Sequence, residues 1–181
     1  MPAPQERWPG CPLAVAYGLG VDSTAMLVEF ARRGVRPDHV LFADTGGEKP
    51  ETYAYLPVAQ RFLADAGFPP VVTVRYRPRT APSHTLEGQC LHTGTLPSLA
   101  YGGRSCSAKY KRTPQDRYLL ALYPPAELVA AGRRVVRAMG FEAGEERVGH
   151  GPGRLPAGHR RRRAAGAAQK RLFLLPGEQE A

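Results

Sequence analysis

Short apolar runs alternate along this chain with longer stretches in which apolar positions recur at helical spacing. The run from Leu13 to Tyr17 is unbroken, as expected of a strand buried on both faces. After it, Ala25, Met26, Leu27, Val28 and Phe30 supply the apolar positions of a helix over residues 23–33, which Gly34 and Pro37 bring to an end. A second strand is expected over 39–43. Residues 51–66 have the length of a helix, although Pro57 should break or kink it, and Gly67 is a natural stop before Pro69 and Pro70. A third strand follows over 71–75. Between 77 and 111 there is little periodicity and much Gly, Ser, Thr and Pro, the pattern of a long loop. Thr113-Pro114-Gln115-Asp116 then reads as an N-cap, a proline at the first helical position and an acid in the first turn, opening a helix to about Leu122. Residues 135–139 form the fourth strand candidate.

This alternation predicts right-handed parallel βαβ crossovers and an α/β fold: a doubly wound, mainly parallel, Rossmann-like sheet. A length of 181 residues suits one such domain, assigned to residues 12–147, with a flexible proline-rich segment before it (1–11) and a basic, poorly ordered tail after it (148–181). Ligands bind such sheets outside the carboxyl ends of the strands. Two candidate segments occupy such ends: Gly18 to Ser23 and Asp44 to Glu48.

Composition narrows the function classes. No apolar run approaches the ~18 residues of a membrane span and no charged-then-apolar leader opens the chain, so a cytoplasmic protein without membrane contact is expected. Cys11, Cys90 and Cys106 are too scattered for a secreted disulfide framework. The formal charge of +9 suggests a nucleic-acid partner, but residues 148–181 hold seven Lys and Arg against two Glu, leaving eighteen against fourteen elsewhere. The body is only mildly basic, so nucleic acid ranks low among partners. Oligomeric state is not legible.

The chemistry concentrates at the first strand end. An ordinary strand-to-helix turn also favours Gly and Ser, but here the glycines precede a helix N-terminus whose unpaired amides and positive dipole attract phosphate. Gly18, Gly20, Ser23 and Thr24 are the expected phosphate contacts. Asp22 is expected to orient the loop or to hold Mg²⁺ through oxygen. Arg104, Lys109, Lys111 and Arg112 form either a solvated basic face or, in a nucleotide site, cations around an α-phosphate, with Arg104 and Lys109 the preferred pair. Cys90, His92 and Cys106 fall short of the four ligands a structural zinc takes.

These segments carry a resemblance. Gly18-Leu19-Gly20-Val21-Asp22-Ser23 resembles the Ser-Gly-Gly-x-Asp-Ser pyrophosphate loop (PP-loop) of the adenine nucleotide alpha hydrolase superfamily. The segment Val40-Leu41-Phe42-Ala43-Asp44-Thr45-Gly46-Gly47-Glu48-Lys49-Pro50-Glu51-Thr52 resembles the Asp-Thr-Gly-x-Glu-x-Pro-x-Thr of its phosphoadenosine phosphosulfate reductase-like branch. Arg104-Ser105-Cys106-Ser107-Ala108-Lys109-Tyr110-Lys111 resembles that branch's Cys-x-x-x-Lys segment, and Met139-Gly140-Phe141-Glu142-Ala143-Gly144-Glu145-Glu146-Arg147 its Gly-x-x-x-x-Glu-x-x-Arg segment. The resemblance implies a HUP-type fold that binds ATP or a related adenine nucleotide with Mg²⁺. Asp44, Thr45, Gly46, Glu48 and Gly140 would border the nucleotide, with Asp44 and Glu48 in contact with either ribose or metal. The implied reaction is adenylation of an unknown acceptor with release of pyrophosphate. The runners-up are a non-catalytic or truncated nucleotide-binding remnant and a nucleic-acid-modifying enzyme.

Two departures limit what carries over. Gly18 and Leu19 stand where the family has Ser and Gly, and the reductases' Glu-Cys-Gly-x-His segment is absent, so sulfonucleotide reduction is not expected. Residues Gln169 to Ala181, back-translated with suitable synonymous codons and read one base out of frame, give Arg-Ser-Ala-Cys-Phe-Phe-Cys-Pro-Ala-Ser-Lys-Lys. That string resembles the Cys-x-x-Cys-Pro that follows the Glu/Arg segment in related proteins. A frame change between about residues 147 and 169 would account for it, and Cys90 or Cys106 would then join an iron–sulfur or zinc ligand set only with the frame restored.

Overall fold

The computed structural model describes residues 4–80, 83–96, 106–140 and 171–174. Five strands form one sheet: β1 (Leu13–Ala16), β2 (His39–Asp44), β3 (Val71–Arg75), β4 (Val136–Met139) and β5 (Arg171–Leu174), in the order β3-β2-β1-β4-β5. The first four run parallel and β5 is antiparallel to β4. The helices are α1 (Pro4–Arg7), α2 (Val21–Arg32), α3 (Pro50–Asp65), α4 (Leu86–Thr93), α5 (Thr113–Leu122) and α6 (Pro125–Ala130), and a π-helical stretch, Ser107–Arg112, runs directly into α5.

Strand alternation divides the core between the two sheet faces. Leu13, Val15, Val40, Phe42, Val71, Val136 and Ala138 face α2 and α3, which contribute Met26, Leu27, Phe30, Ala59 and Leu63. Ala14 and Leu41 face the other way, towards Leu119 of α5. Burying each large aliphatic or aromatic side chain stabilises the fold by about 1.5–3 kcal/mol, so the α2–α3 face carries most of the stability. Helices therefore cover both faces, and the doubly wound α/β, Rossmann-like arrangement expected from the alternation of elements is present. The chain winds outward from β1 to β3 on one side and returns past β1 to β4 on the other. The direction of winding thus switches between β1 and β4, where open α/β sheets bind ligands.

Three expectations need correction. Residues 77–111 are not one long loop, because α4 and the π-helical stretch lie within them. No residue of α4 is buried, so no apolar stripe marks it. Its ends are nonetheless set by local chemistry: the Thr85 hydroxyl accepts from the Gly88 amide, and Gly94 closes the helix with φ 65°. The helix α3 runs unbroken through Pro57, which is exposed, while Ala59 and Leu63 anchor the following turn to the sheet. Finally, four residues of the basic tail, Arg171–Leu174, pair with β4. The segment expected to be a poorly ordered tail therefore supplies a short strand, and the rest of residues 148–181 lies outside the described residues. No helix among the described residues is long and apolar enough to cross a membrane.

Candidate functional site

The first motif joins β1 to α2 at the switch point. Thr24 is the first α2 amide to reach a carbonyl four residues back, bonding Gly20 O at 3.0 Å. The amides of Val21, Asp22 and Ser23 precede that ladder, at the end of the helix where anions are favoured. A Cβ built on Gly18 or Gly20 would meet nothing within 4 Å, so the main chain at both is approachable. Neither glycine takes a positive φ. Gly20 has φ −91°, and the left-handed residue is Leu19, with φ 58°. A non-glycine residue in that conformation is strained by roughly 1–2 kcal/mol. The Leu19 side chain is 7% exposed and packs into the α2–α3 core, which offsets the strain.

The loop hydroxyls turn inward. Ser23 Oγ and Thr24 Oγ1 both donate to Gly20 O, at 3.1 and 2.9 Å. With the Thr24 proton so used, the buried Tyr17 hydroxyl donates to Thr24 Oγ1 across 3.1 Å. Burial, the largest influence, pushes the Tyr17 phenol above its ordinary value, which keeps it a donor. Asp22 is exposed in the first turn of α2. Against this turn lies Gly140, just past β4, where a Cβ would sit 2.7 Å from Asp22 C, Asp22 O and Ser23 N. That approach admits only glycine. It brings two sequence motifs more than a hundred residues apart into van der Waals contact.

The second motif leaves the end of β2. Asp44 is 2% exposed, and its carboxylate is fully engaged. Oδ1 accepts from the Gly46 amide and the Tyr53 hydroxyl, each at 2.8 Å, and Oδ2 accepts from Arg75 Nε at 2.8 Å. Burial opposes ionisation, but these donors and the Arg75 charge outweigh it and hold the carboxyl below its usual value. As described, Asp44 ties the loop to α3 and β3 and has little capacity left for a metal. Gly46 has φ 71°, and a Cβ there would lie 2.7 Å from Thr85 Cβ, so glycine is required twice over. Thr45 is buried; its carbonyl accepts from the Leu86 amide at 2.9 Å, and its hydroxyl donates to Glu48 Oε1 at 3.2 Å.

The π-helical stretch brings cations to this loop. Lys111 Nζ lies 3.2 Å from Glu48 Oε1. Lys109 Nζ donates to Gln89 Oε1 at 2.5 Å, and the buried Tyr110 hydroxyl donates to the same oxygen at 2.5 Å. The ammonium also stands 5.1 Å from the Tyr76 ring and 5.4 Å from that of Tyr110, within cation–π range. Arg104, and with it the segment 141–147, lies outside the described residues, so the preferred pair of cations is seen only through Lys109. Sequence reasoning missed Tyr53, Arg75, Tyr76, Gln89 and Tyr110. Arg75 could have been found as a cation ending the strand next to β2. Gln89 carried no signal, because it sits in a helix without an apolar face.

An open cleft of about 760 Å³ lies between the Gly46–Glu48 loop and α4, with Cys90 in its wall. It adjoins the second motif, and the Gly18–Thr24 turn does not line it. For Mg²⁺ the one exposed carboxylate of the first motif, Asp22, is a fitting oxygen ligand, since this ion takes few protein ligands and completes its shell with phosphate and water. For a cluster or zinc the fit fails. Among the described residues no three His, Cys, Asp or Glu are grouped to hold a metal ion, and Cys90 and Cys106 are free thiols. No protein-family model, curated protein or solved structure matches the chain.

Proposed function

We propose that this domain binds ATP or a related adenine nucleotide with Mg²⁺ at the β1–α2 turn and adenylates an acceptor, releasing pyrophosphate. The observation that carries this reading is the glycine turn at the sheet's switch point. Three helix amides precede the α2 ladder, two glycines leave the main chain approachable, and Gly140 packs closely against the same turn. The HUP-type assignment and the likeness to phosphoadenosine phosphosulfate reductases rest on the order of the motifs along the chain.

In this reading the amides of residues 20–23 hold phosphate oxygens, and Asp22 orients the loop or holds Mg²⁺. Ser23 and Thr24, whose hydroxyls serve the Gly20 carbonyl, shape the turn. Asp44 fixes Gly46 and Tyr53, so that Thr45, Gly46 and Glu48 border the nucleotide without Asp44 itself being a ligand. Lys109 and Arg104 stabilise negative charge that grows on the α-phosphate as the acceptor attacks and pyrophosphate leaves.

The test is release of pyrophosphate from ATP by the purified chain with Mg²⁺, beside a measurement of ATP binding. Binding that is lost in Asp22→Ala, with release above background, is the expected result. Binding without release would favour a second reading, a nucleotide-binding remnant, to which the strained Leu19 in place of glycine points. Absence of binding would overturn both. Sequencing the source DNA from the Phe141 codon past the stop decides whether the basic tail is authentic or a frame change has removed a Cys-x-x-Cys segment.

A further inference from the structure

The cleft beside α4 differs in character from the rest of the molecule. The chain carries 25 Lys and Arg and a formal charge of +9, yet the charged residues lining this cleft among those described are both carboxylates, Glu48 and Glu87. Glu48 is neutralised by Lys111. Glu87, exposed in the first turn of α4, has no ion-pair partner among the described residues. The remaining wall is largely apolar: Leu86, Leu91 and Leu96, the last two 77% and 84% exposed, with the Cys90 thiol between them. Leucines left this open lose the ~1.5–3 kcal/mol that full burial of each would contribute, and an apolar ligand would recover part of it. The cleft's volume, about 760 Å³, falls within the range of small-molecule sites.

We propose that this cleft binds a small amphipathic cation, an apolar body bearing a protonated amine, with the ammonium on Glu87 and the body over Leu91 and Leu96. Charge complementarity selects the occupant. An anionic ligand would meet Glu87 and gain no cation from the described lining, whereas an amine meets a carboxylate and keeps its apolar part out of water.

Cys90 gives a readout independent of nucleotide. The full-length chain is alkylated with iodoacetamide, and modification of Cys90 is followed by peptide mass spectrometry in the presence of hexylamine, hexanoate or hexanol. Hexylamine is expected to slow alkylation of Cys90 while leaving Cys11 unchanged, and hexanoate is expected to protect less than hexanol. In Glu87→Gln the hexylamine concentration giving half protection should rise about two- to fivefold, the effect of losing a solvent-exposed ion pair. Equal or better protection by hexanoate, no protection by any of the three, or an unchanged midpoint in Glu87→Gln would each overturn the proposal. Since no ATP is present, protection can fail while nucleotide binding stands, or succeed while it falls, so the two readings are separately decidable.

Discussion

Replacing Gly18 and Gly140 by alanine separates the proposed ligand contact of one glycine from the packing contact of the other. At Gly18 nothing lies within 4 Å of an added Cβ and φ is not positive, so the fold accepts alanine without strain. Stability should stay level or rise by about 0.4–1 kcal/mol, through reduced freedom of the unfolded chain. If phosphate oxygens meet the main chain there, the same methyl group stands in their way and disturbs charge-assisted amide bonds worth about 1.5–3 kcal/mol, a loss of roughly 10- to 160-fold in ATP affinity. At Gly140 the relation inverts. An added Cβ meets three backbone atoms of Asp22 and Ser23 at 2.7 Å, and ordinary contact requires that they part by most of an ångström. Overpacking against backbone costs about 1–3 kcal/mol, so Gly140→Ala should melt earlier and lose ATP affinity together, because the displaced turn is the proposed binding turn. The assays are urea denaturation and equilibrium dialysis with ATP and Mg²⁺ on both variants. Gly18→Ala binding ATP as the parent does would refute the phosphate-loop reasoning. Gly140→Ala with unchanged stability would refute the close approach.

Further outcomes follow from single residues. Leu19→Gly and Leu19→Ala both lose a buried side chain, but only glycine relieves the left-handed conformation, so Leu19→Gly should be the more stable of the two by about 1 kcal/mol in urea titrations, the reverse of the usual order. Asp44→Asn should destabilise the protein at pH 7 by about 1–3 kcal/mol, through loss of charged hydrogen bonds to Tyr53, Gly46 and Arg75. Because the Asp44 carboxyl is held below its ordinary 3.8, its contribution is complete above that pH and vanishes as pH falls through the lower folded value. The gap between parent and Asp44→Asn should therefore close in acid, and a gap that is constant with pH would contradict the ionised network. Burial beside Tyr118 and Tyr123 lowers the His39 pKa from 6.5 despite the opposing charge of Asp38. The neutral ring is favoured in the fold, so stability should be full above pH 6.5 and decline as pH falls towards the folded value, and His39→Gln should remove that slope.

Much of the fold was written in the apolar runs. Leu13 to Tyr17 and Val40 to Ala43 are buried on both faces and announce themselves as strands, and the order of strand and helix then leaves few topologies open. What escaped notice lacks a buried face. The helix α4 has no buried residue, and the Thr85 and Gly94 caps that delimit it resemble ordinary loop residues until the intervening turn is seen. The site was legible as motifs but not as geometry. Asp44 was expected to border the nucleotide because of the motif it opens, and only the distances to Tyr53 and Arg75, which come from separate elements, reveal that it is spent on structure. Leu19 could be noted as a departure from a pattern, but whether it changed the backbone or adopted the conformation of the residue it replaces is a matter of φ, on which residue identity is silent.

The strand order has a consequence for when the site comes into being. The pairings β1 with β2 and β2 with β3 join neighbours in the chain and can close early, whereas β1 waits for β4, since Leu13 pairs with Val136. Loop-closure entropy makes such a distant pairing late and slow. During synthesis the glycine turn emerges among the first residues, yet the wall that Gly140 gives it cannot be set in place until nearly the whole α/β domain has left the ribosome. A half-made chain would thus carry the turn's sequence without its shape, and the turn is finished only when the sheet is complete.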